Sequence, residues 1–558
     1  QIQHTFARAL SNRGELARAI GHFQCALVQS PSSPELLTDY AVCLRKLKRL
    51  PGALRAVDRA LALAQDSAVA HRERSAVLTE QGNFDQAQLS AERALALKAD
   101  YPEAWCELAA ALVFNGQLAA GLTAYRRAIA LEPNNALTHS NLAFLLAFDP
   151  SSSAQAILNE VEDWARRHAA PFARYQRAHR HTPDPERKLR LGYVSSNFND
   201  HCQALFTLPL LDAHDRTKFE LHAFSALSSA DRVTARLAAK FDHWTDISGL
   251  DAIEAADRIR SREIDILIDL TMHMSTTQLR IFACKPAPVQ IAWLAYPGTT
   301  GLPTIDYRIT DRYLDPTDRP SDPYSEESLV LPDTFWCYQP GVELPVADLP
   351  ARGKGHVTFG CLNSFWKLND VTLRLWATVL ERVPGSHLLL LAPEGSARAR
   401  VLATLELAGI AAERIEFSSR RPRAQYLQLY DQIDICLDAL PYNGHTTSLD
   451  AFWMGVPVLT LVGQTVVGRA GRSQAMNLGL PELIALTPEV FAAKAAELAG
   501  DLDALAELRS GLRQRLERSP LMDAASFARN LEAKYREGWQ RWCAGVERPV
   551  AVSEGTAR

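Results

Sequence analysis

An α solenoid leading into two doubly wound α/β domains is the architecture this 558-residue sequence predicts, and three observations carry it. Small and apolar residues recur at a fixed step through the first 150 residues. From about residue 188, short β-rich runs alternate with amphipathic helices. A Pro- and Gly-rich stretch at 339–355 then divides that region in two. The length suits about three or four domains, each able to bury its own core. With 47% apolar and 22% charged residues the chain is globular rather than disordered. A formal charge of −4 gives no reason to expect a nucleic-acid partner. No apolar run reaches the 18 or so residues a membrane span needs. The nine cysteines show no CxxC pair and no zinc spacing, so reduced thiols in a cytoplasmic protein are expected. The chain opens Gln1-Ile2-Gln3, without initiator Met or signal-type core, so further sequence upstream is expected.

The repeat step is 34 residues. It links Ala26, Ala60, Ala94 and Ala128, each followed by Leu27, Leu61, Leu95 or Ile129, and it links Gly14, Lys48, Gly82 and Gly116 at the turn. It also links Ala19, Ala53, Ala87 and Gly121 at the start of a second helix. Small residues let paired helices approach closely, and Leu10, Leu44, Leu78 and Leu112 fill the space between them. The pattern resembles the tetratricopeptide repeat, with Trp105, Tyr125 and Pro133 at its large and helix-ending positions, over residues 1–150 with a partial last copy from Ala136. Such an array leaves a concave surface that suits extended polypeptide, so acceptor proteins or peptides are the expected partners there. A purely structural or dimerising array is the competing reading. Asp39, Glu73 and Glu107, with Asn only at Asn141, stand where related superhelices carry an Asn ladder. Residues 151–187 read as a helical linker, in which Ala154–His168 can cover the last apolar face.

The first α/β lobe, 188–338, has predicted strands at 189–194, 219–224, 264–270, 290–294 and 308–310. The second, 356–525, has them at 357–361, 387–391, 414–418, 433–437 and 457–462. A C-terminal helix at 526–545 and a flexible tail at 546–558 follow. Ligands of such sheets bind beyond the carboxyl ends of the strands. There, in DICLDALPYNGHTTSLDAFWMGVPVLTLVG (434–463), Asn443, Gly444, His445, Thr446 and Thr447 fall at the N-terminus of a helix expected over 447–454. Free backbone N–H groups and the helix dipole favour a phosphate at that point, although a well-capped helix has the same composition. Asp450, one turn on, is placed to accept from a ribose. Lys367 in CLNSFWKLND and Arg423 in SSRRPRAQY reach the same edge, so that two cations and a helix N-terminus balance a diphosphate. Tyr426 either lies over a base or packs on its helix.

The order GYVSSNF-x-x-H (192–201), WLAYPGTTG (293–301), CLNSFWK (361–367) and CLDALPYNGHTTSLD (436–450), behind the repeats, resembles the O-linked N-acetylglucosamine transferases in a short bacterial form. The resemblance, to glycosyltransferase family 41, implies two Rossmann-like lobes in the GT-B arrangement. It implies a UDP-sugar donor, UDP-GlcNAc, used without metal or other cofactor, and inversion during transfer to Ser or Thr hydroxyls of proteins. Under it Lys367 neutralises the leaving diphosphate, with Asn363 and Ser364 beside it on the donor. His445, Thr446 and Thr447, with Asn443 and Gly444, form the phosphate turn, and Asp450 binds ribose. Arg423 stands where the family more usually has Lys, and Tyr426 where a His stacks on uracil. His201 matches a histidine lining the sugar and acceptor site, and Ala295 replaces a Gly beside the sugar pocket, whose loop continues through Tyr296, Pro297, Gly298 and Thr299. The long insert of the eukaryotic members does not fit into 339–355.

His201 is a candidate general base, though a histidine in such a loop more often lines a site than acts as base, and His273, expected in the sugar or acceptor pocket, is a second candidate. The Asp431, Asp434 and Asp438 spacing puts side chains on alternate strand faces, which favours solvated or structural carboxylates over metal ligands. Two alternatives stay open: a protein O-fucosyltransferase of the Spindly type using GDP-fucose, and an inactive repeat-based binding scaffold. Because the phosphate turn lies beyond residue 356, removing the array is expected to spare donor chemistry.

Overall fold

In a computed structural model of the chain, residues 2–274, 278–317 and 322–545 are described, and the tail at 546–558 lies outside them. Helical hairpins run from Ile2–Asn12 to Ala136–Leu145, one pair per 34-residue repeat. Ser33, Ser67, Asn83 and Asn135 cap helix N-termini with their side chains. Gly14, Gly82 and Gly116 turn the chain at positive φ, and Lys48 takes the same conformation at φ +58 without the freedom of glycine. Ala19, Ala53 and Ala87 are fully buried, as close helix approach requires.

The linker does weld array to body. Helix Ala154–Trp164 packs on Ala136–Leu145, and the indole N–H of Trp164, fully buried, donates to the Ala136 carbonyl at 2.9 Å. On its other side Val161 meets Gly301, whose φ is +74 and where a Cβ would overlap the Val161 carbonyl.

The first lobe is a seven-stranded parallel sheet: β1 (Leu189–Ser195), β2 (Phe219–Ser225), β3 (His243–Asp246), β4 (Ile266–Asp269), β5 (Val289–Ala292), β6 (Tyr307–Asp311) and β7 (Glu327–Leu331). Their order is β3-β2-β1-β4-β5-β6-β7. The second lobe contains β8 (Thr358–Cys361), β9 (His387–Leu391), β10 (Ile415–Ser418), β11 (Ile435–Leu437), β12 (Val458–Leu461) and β13 (Ile484–Ala485), ordered β10-β9-β8-β11-β12-β13. Strands β3, β7 and β13 add to those the sequence predicts. β3 is short and polar, β13 has two residues, and neither presents an apolar run. In each sheet the order reverses at one point, between β1 and β4 and between β8 and β11, and there crossover connections leave a crevice.

Residues 339–355, expected as the inter-lobe linker, lie as a strap on the second lobe, with helix Pro350–Lys354 in it. Trp453 Nε1, Arg513 and Arg509 donate to the carbonyls of Val342, Leu344 and Ala347, which fixes the strap because buried carbonyls need partners. Helix Ala524–Cys543 belongs with the first lobe: Glu532 accepts from His214 at 2.7 Å, and Arg541 forms a bidentate pair with Glu327. No described helix is long and apolar enough to cross a membrane.

Gly301→Ala adds left-handed strain and steric overlap at the weld, together about 2–4 kcal/mol. The expected result is faster limited proteolysis between the array and the body than in the wild type. Equal cleavage rates would contradict the weld.

Candidate active site

The loops after β1, β4, β8 and β11 surround the two switch points, and they hold His201, His273, Lys367 and the 438–447 turn. Lys367 ends the turn Phe365–Lys367. Its ammonium donates to the Asn443 carbonyl at 2.6 Å and to Asn363 Oδ1 at 3.2 Å, and lies 4.4 Å from the centre of the Tyr442 ring. These contacts are all neutral. Burial pushes the ammonium down to about 8, against the raising influence of the Asp438 carboxylate.

Asp438 folds the phosphate turn back on itself. It accepts the backbone N–H of Ala439 (2.9 Å) and Gly444 (2.6 Å) and the Thr460 hydroxyl (2.9 Å), and burial pushes its carboxyl up to about 6. Asn443 faces inward: its amide donates to the Ala439 carbonyl, and its Oδ1 accepts from Gly471 N–H. At Gly444 a Cβ would overlap Ser448 Oγ. Asn443 and Gly444 therefore shape the turn rather than offer free ligand groups, which corrects the expectation for both. Asp434 similarly receives the N–H groups of Ala351 and Thr358, so it too is structural.

Helix Thr446–Trp453 has His445 at its N-cap with no side-chain cap. Among the described residues no acceptor meets the N–H groups of Thr446, Thr447 and Ser448. The capped-helix alternative is thus replaced by an open N-terminus. Thr447 Oγ1 donates to Asn363 Oδ1 at 2.6 Å, tying this end to the Lys367 loop, while the Ser364 carbonyl accepts Lys367 N–H. His445 packs edge-on to Trp336 at 5.3 Å and against Tyr442 at 4.7 Å. Burial and the Lys367 charge hold its imidazole well below the usual range, and its buried Nε2 has no partner among the described residues.

Arg423 and Asp450 do not stand as expected. They pair with each other, Nη1 to Oδ2 at 2.5 Å and Nη2 to Oδ1 at 2.6 Å, and Tyr338 OH donates to Oδ1 at 2.7 Å. Asp450 is 1% exposed, and the guanidinium charge is matched by its carboxylate. So of the two expected cations, Lys367 alone is left without a carboxylate in direct contact among the described residues. Tyr426, half-buried, packs edge-on to Tyr430 at 5.7 Å with the two hydroxyls 2.9 Å apart.

From the first lobe, His201 Nδ1 accepts the Gln203 backbone N–H at 3.3 Å. Burial lowers its pKa, so the neutral ring carries its proton on Nε2, the form of a hydrogen-bond donor rather than a base. The neighbouring Cys202 is exposed and interacts with the Thr446 hydroxyl across the lobes. His273 is neither base nor pocket residue. Its Nε2–H donates to the Thr300 carbonyl at 2.8 Å, its Nδ1 accepts from Ser140 of the array, and burial pushes it down to about 4. The turn Met272–Met274 runs under the array instead of toward the crevice. In the 295–299 loop, Thr299 Oγ1 donates to Glu326, and Arg308 holds the Pro297 and Gly298 carbonyls at 3.0 Å. Tyr296 is buried against Phe144 at 5.3 Å. Ala295 and Gly298 keep partial exposure, while Tyr296, Pro297 and Thr299 support them from behind. Sequence reasoning passed over Cys202 and Tyr442; Tyr442 lies inside the motif itself, and Cys202 directly follows His201.

Among the described residues, the groups of His and carboxylate close enough to share an ion include none of the site residues named above.

Residues 158–340 and 348–531 match glycosyl transferase family 41, and 12–72 and 77–136 match tetratricopeptide repeats. A probable UDP-N-acetylglucosamine–peptide N-acetylglucosaminyltransferase SPINDLY of Petunia hybrida is 38% identical over 392 residues, 69% of this chain and 42% of the relative. A probable enzyme of the same description from Arabidopsis thaliana, SEC, is 30% identical over 373 residues, 65% of this chain and 38% of the relative. The chain thus spans about two fifths of the curated relatives it matches. A solved structure of a mutant O-GlcNAc transferase of Thermobaculum terrenum is 35% identical, covers 92% of this chain and 98% of its own, and superposes with a TM-score of 0.85. The fold is therefore repeats followed by two lobes in the GT-B arrangement.

Asp450→Ala leaves the part-buried guanidinium of Arg423 without its partner, a loss of about 3–5 kcal/mol by the scale of broken buried pairs. The expected outcome is a clearly lower thermal midpoint, partly restored in Arg423→Met/Asp450→Ala. An unchanged midpoint in Asp450→Ala would return Asp450 to the surface role the sequence suggests.

Proposed function

Since the chain belongs to glycosyl transferase family 41, we propose that it moves N-acetylglucosamine from UDP-GlcNAc to Ser or Thr hydroxyls of proteins, inverting the anomeric carbon and needing no metal. The observation that carries this reading is the convergence of one uncancelled ammonium, Lys367, and three free N–H groups, 446–448, on the β8/β11 switch point. The similarity to probable UDP-N-acetylglucosamine–peptide N-acetylglucosaminyltransferases and to the solved O-GlcNAc transferase supports the donor.

In the transfer, the acceptor hydroxyl attacks the anomeric carbon on the face opposite the nucleotide, the carbon–oxygen bond to the diphosphate breaks, the hydroxyl proton passes to water or to a phosphate oxygen of the donor, and charge accumulates on the departing diphosphate. Groups fixed before the reaction stabilise that charge best, because they need no reorganisation as it forms. Asn363, Asn443 and Tyr442 hold the ammonium in place, and the open helix end supplies dipole and donors. His201 presents Nε2–H to the sugar or acceptor oxygen. The acceptor polypeptide lies along the concave face of the array.

A second reading, a GDP-fucose donor, is favoured by Arg423 and Tyr426 standing where Lys and His are more usual. Calorimetry separates the readings: UDP binding supports the first, GDP binding the second, and neither supports an inactive scaffold.

Lys367→Ala is expected to lower kcat by roughly 100-fold or more, with EDTA without effect on the wild type. An unchanged rate would remove Lys367 from the mechanism. The ammonium acts only when protonated, so kcat/KM is expected to fall as pH rises through about 8, and Lys367→Arg should move that limb beyond the measurable range. A limb shared by wild type and Lys367→Arg would assign the titration elsewhere.

A further inference from the structure

We infer that Phe148 of the repeat array is a positioning residue for Lys367, acting through the Tyr442 ring, so that the array completes the donor site as well as receiving acceptors. The inference rests on the role given to Lys367 above.

Phe148 closes the turn Leu146–Phe148 at the end of the last repeat helix. It is buried, and its ring lies on that of Tyr442 with centroids 4.3 Å apart and planes within 4°. Tyr442 and its neighbour Asn443 supply two of the three contacts of the Lys367 ammonium, the ring face and the carbonyl. Whatever fixes the Tyr442 ring therefore fixes the position of the ammonium. Phe148 is itself braced: Phe144 meets it edge-on at 5.1 Å and touches Tyr296 of the first lobe at 5.3 Å. One aromatic cluster thus joins the array and both lobes at the lysine.

A second, separate contact reaches the same loop. Phe114 packs edge-on to Trp366, the residue before Lys367, at 5.0 Å and is backed by Phe84 at 5.5 Å. Beside it Asn115 donates to Ser396 Oγ at 2.8 Å, Asp85 accepts Ser396 N–H at 2.9 Å, and Arg400 donates to the Gly116 carbonyl. The array therefore grips the catalytic body on both sides of Lys367. On this inference removal of the array disturbs donor chemistry, in contrast to the expectation that it is spared. A charge stabiliser is sensitive to displacements of about 1 Å, which gives packing contacts of this kind leverage over rate.

The test uses the full chain and whichever of UDP-GlcNAc and GDP-fucose the wild type consumes. Phe148→Leu keeps apolar volume and removes the stack; Phe148→Tyr keeps both. Phe148→Leu should lower kcat about tenfold, the order expected for one lost aromatic contact at the transition state, with donor KM within about twofold. Phe148→Tyr should restore the rate. In a Lys367→Ala background Phe148→Leu should cost nothing further, because its effect passes through the lysine. Equal losses in both backgrounds, or a wild-type rate in Phe148→Leu while Lys367→Ala is slow, would overturn the inference alone. A wild-type rate in Lys367→Ala would overturn the role of the lysine and this inference with it. Should Phe148→Leu melt early, Phe114→Leu, which loosens Trp366 from the other side, carries the same expectation and the same contradiction.

Discussion

A half-buried ammonium held by neutral groups is the constraint around which the rest of this molecule is arranged. Lys367 touches an amide oxygen, a backbone carbonyl and an aromatic ring, none of which cancels its charge. Arg423, some distance along the same sheet edge, has the opposite fate, because Asp450 matches it in a bidentate pair. The difference decides which cation can serve a diphosphate. A paired charge is stable and electrostatically spent, whereas an unpaired one costs desolvation and remains available. Burial pushes Lys367 down to about 8, the visible cost of that availability.

Keeping such a group charged and fixed requires support from several directions, and the three modules provide it. The reversal of strand order at β8/β11 brings the Lys367 loop beside the 438–447 turn. Asp438 and Asn443 spend their hydrogen bonds on that turn and on Thr460 and Gly471, and no acceptor among the described residues meets the N–H groups of 446–448. The array arrives from the far end of the sequence and closes the arrangement with Phe148 and Phe114. In this view the repeats and the lobes form one working unit, with Trp164, Val161 and Gly301 as the weld between them.

Much of this was legible in the sequence where the physics is local or periodic. The 34-residue step marks helix pairs because each repeat solves the same packing problem with the same small residues. Buried parallel strands announce themselves as β-branched and Leu-rich runs, while β3 and β13, short and weakly apolar, do not. The helix N-terminus at Thr446 was readable from Gly, Thr and Asn within a few positions. What the sequence does not display is the partner of each group. Asp450 and Arg423 are 27 residues apart, and only the fold shows that they spend their charges on each other. His273 turns toward Ser140, 133 positions away, for reasons that belong to the array's docking. Phe148 reads as ordinary helix-end packing, since its stacking partner lies nearly 300 residues downstream.

The most direct test of this account is the titration of the Lys367 ammonium itself, followed by NMR in the full chain with isotope-labelled lysine and assigned by comparison with Lys367→Arg. The account predicts a titration near pH 8 in the free protein, moved upward by saturating UDP as the diphosphate stabilises the charged form. A titration at the ordinary lysine value of about 10.4, unmoved by UDP, would contradict it.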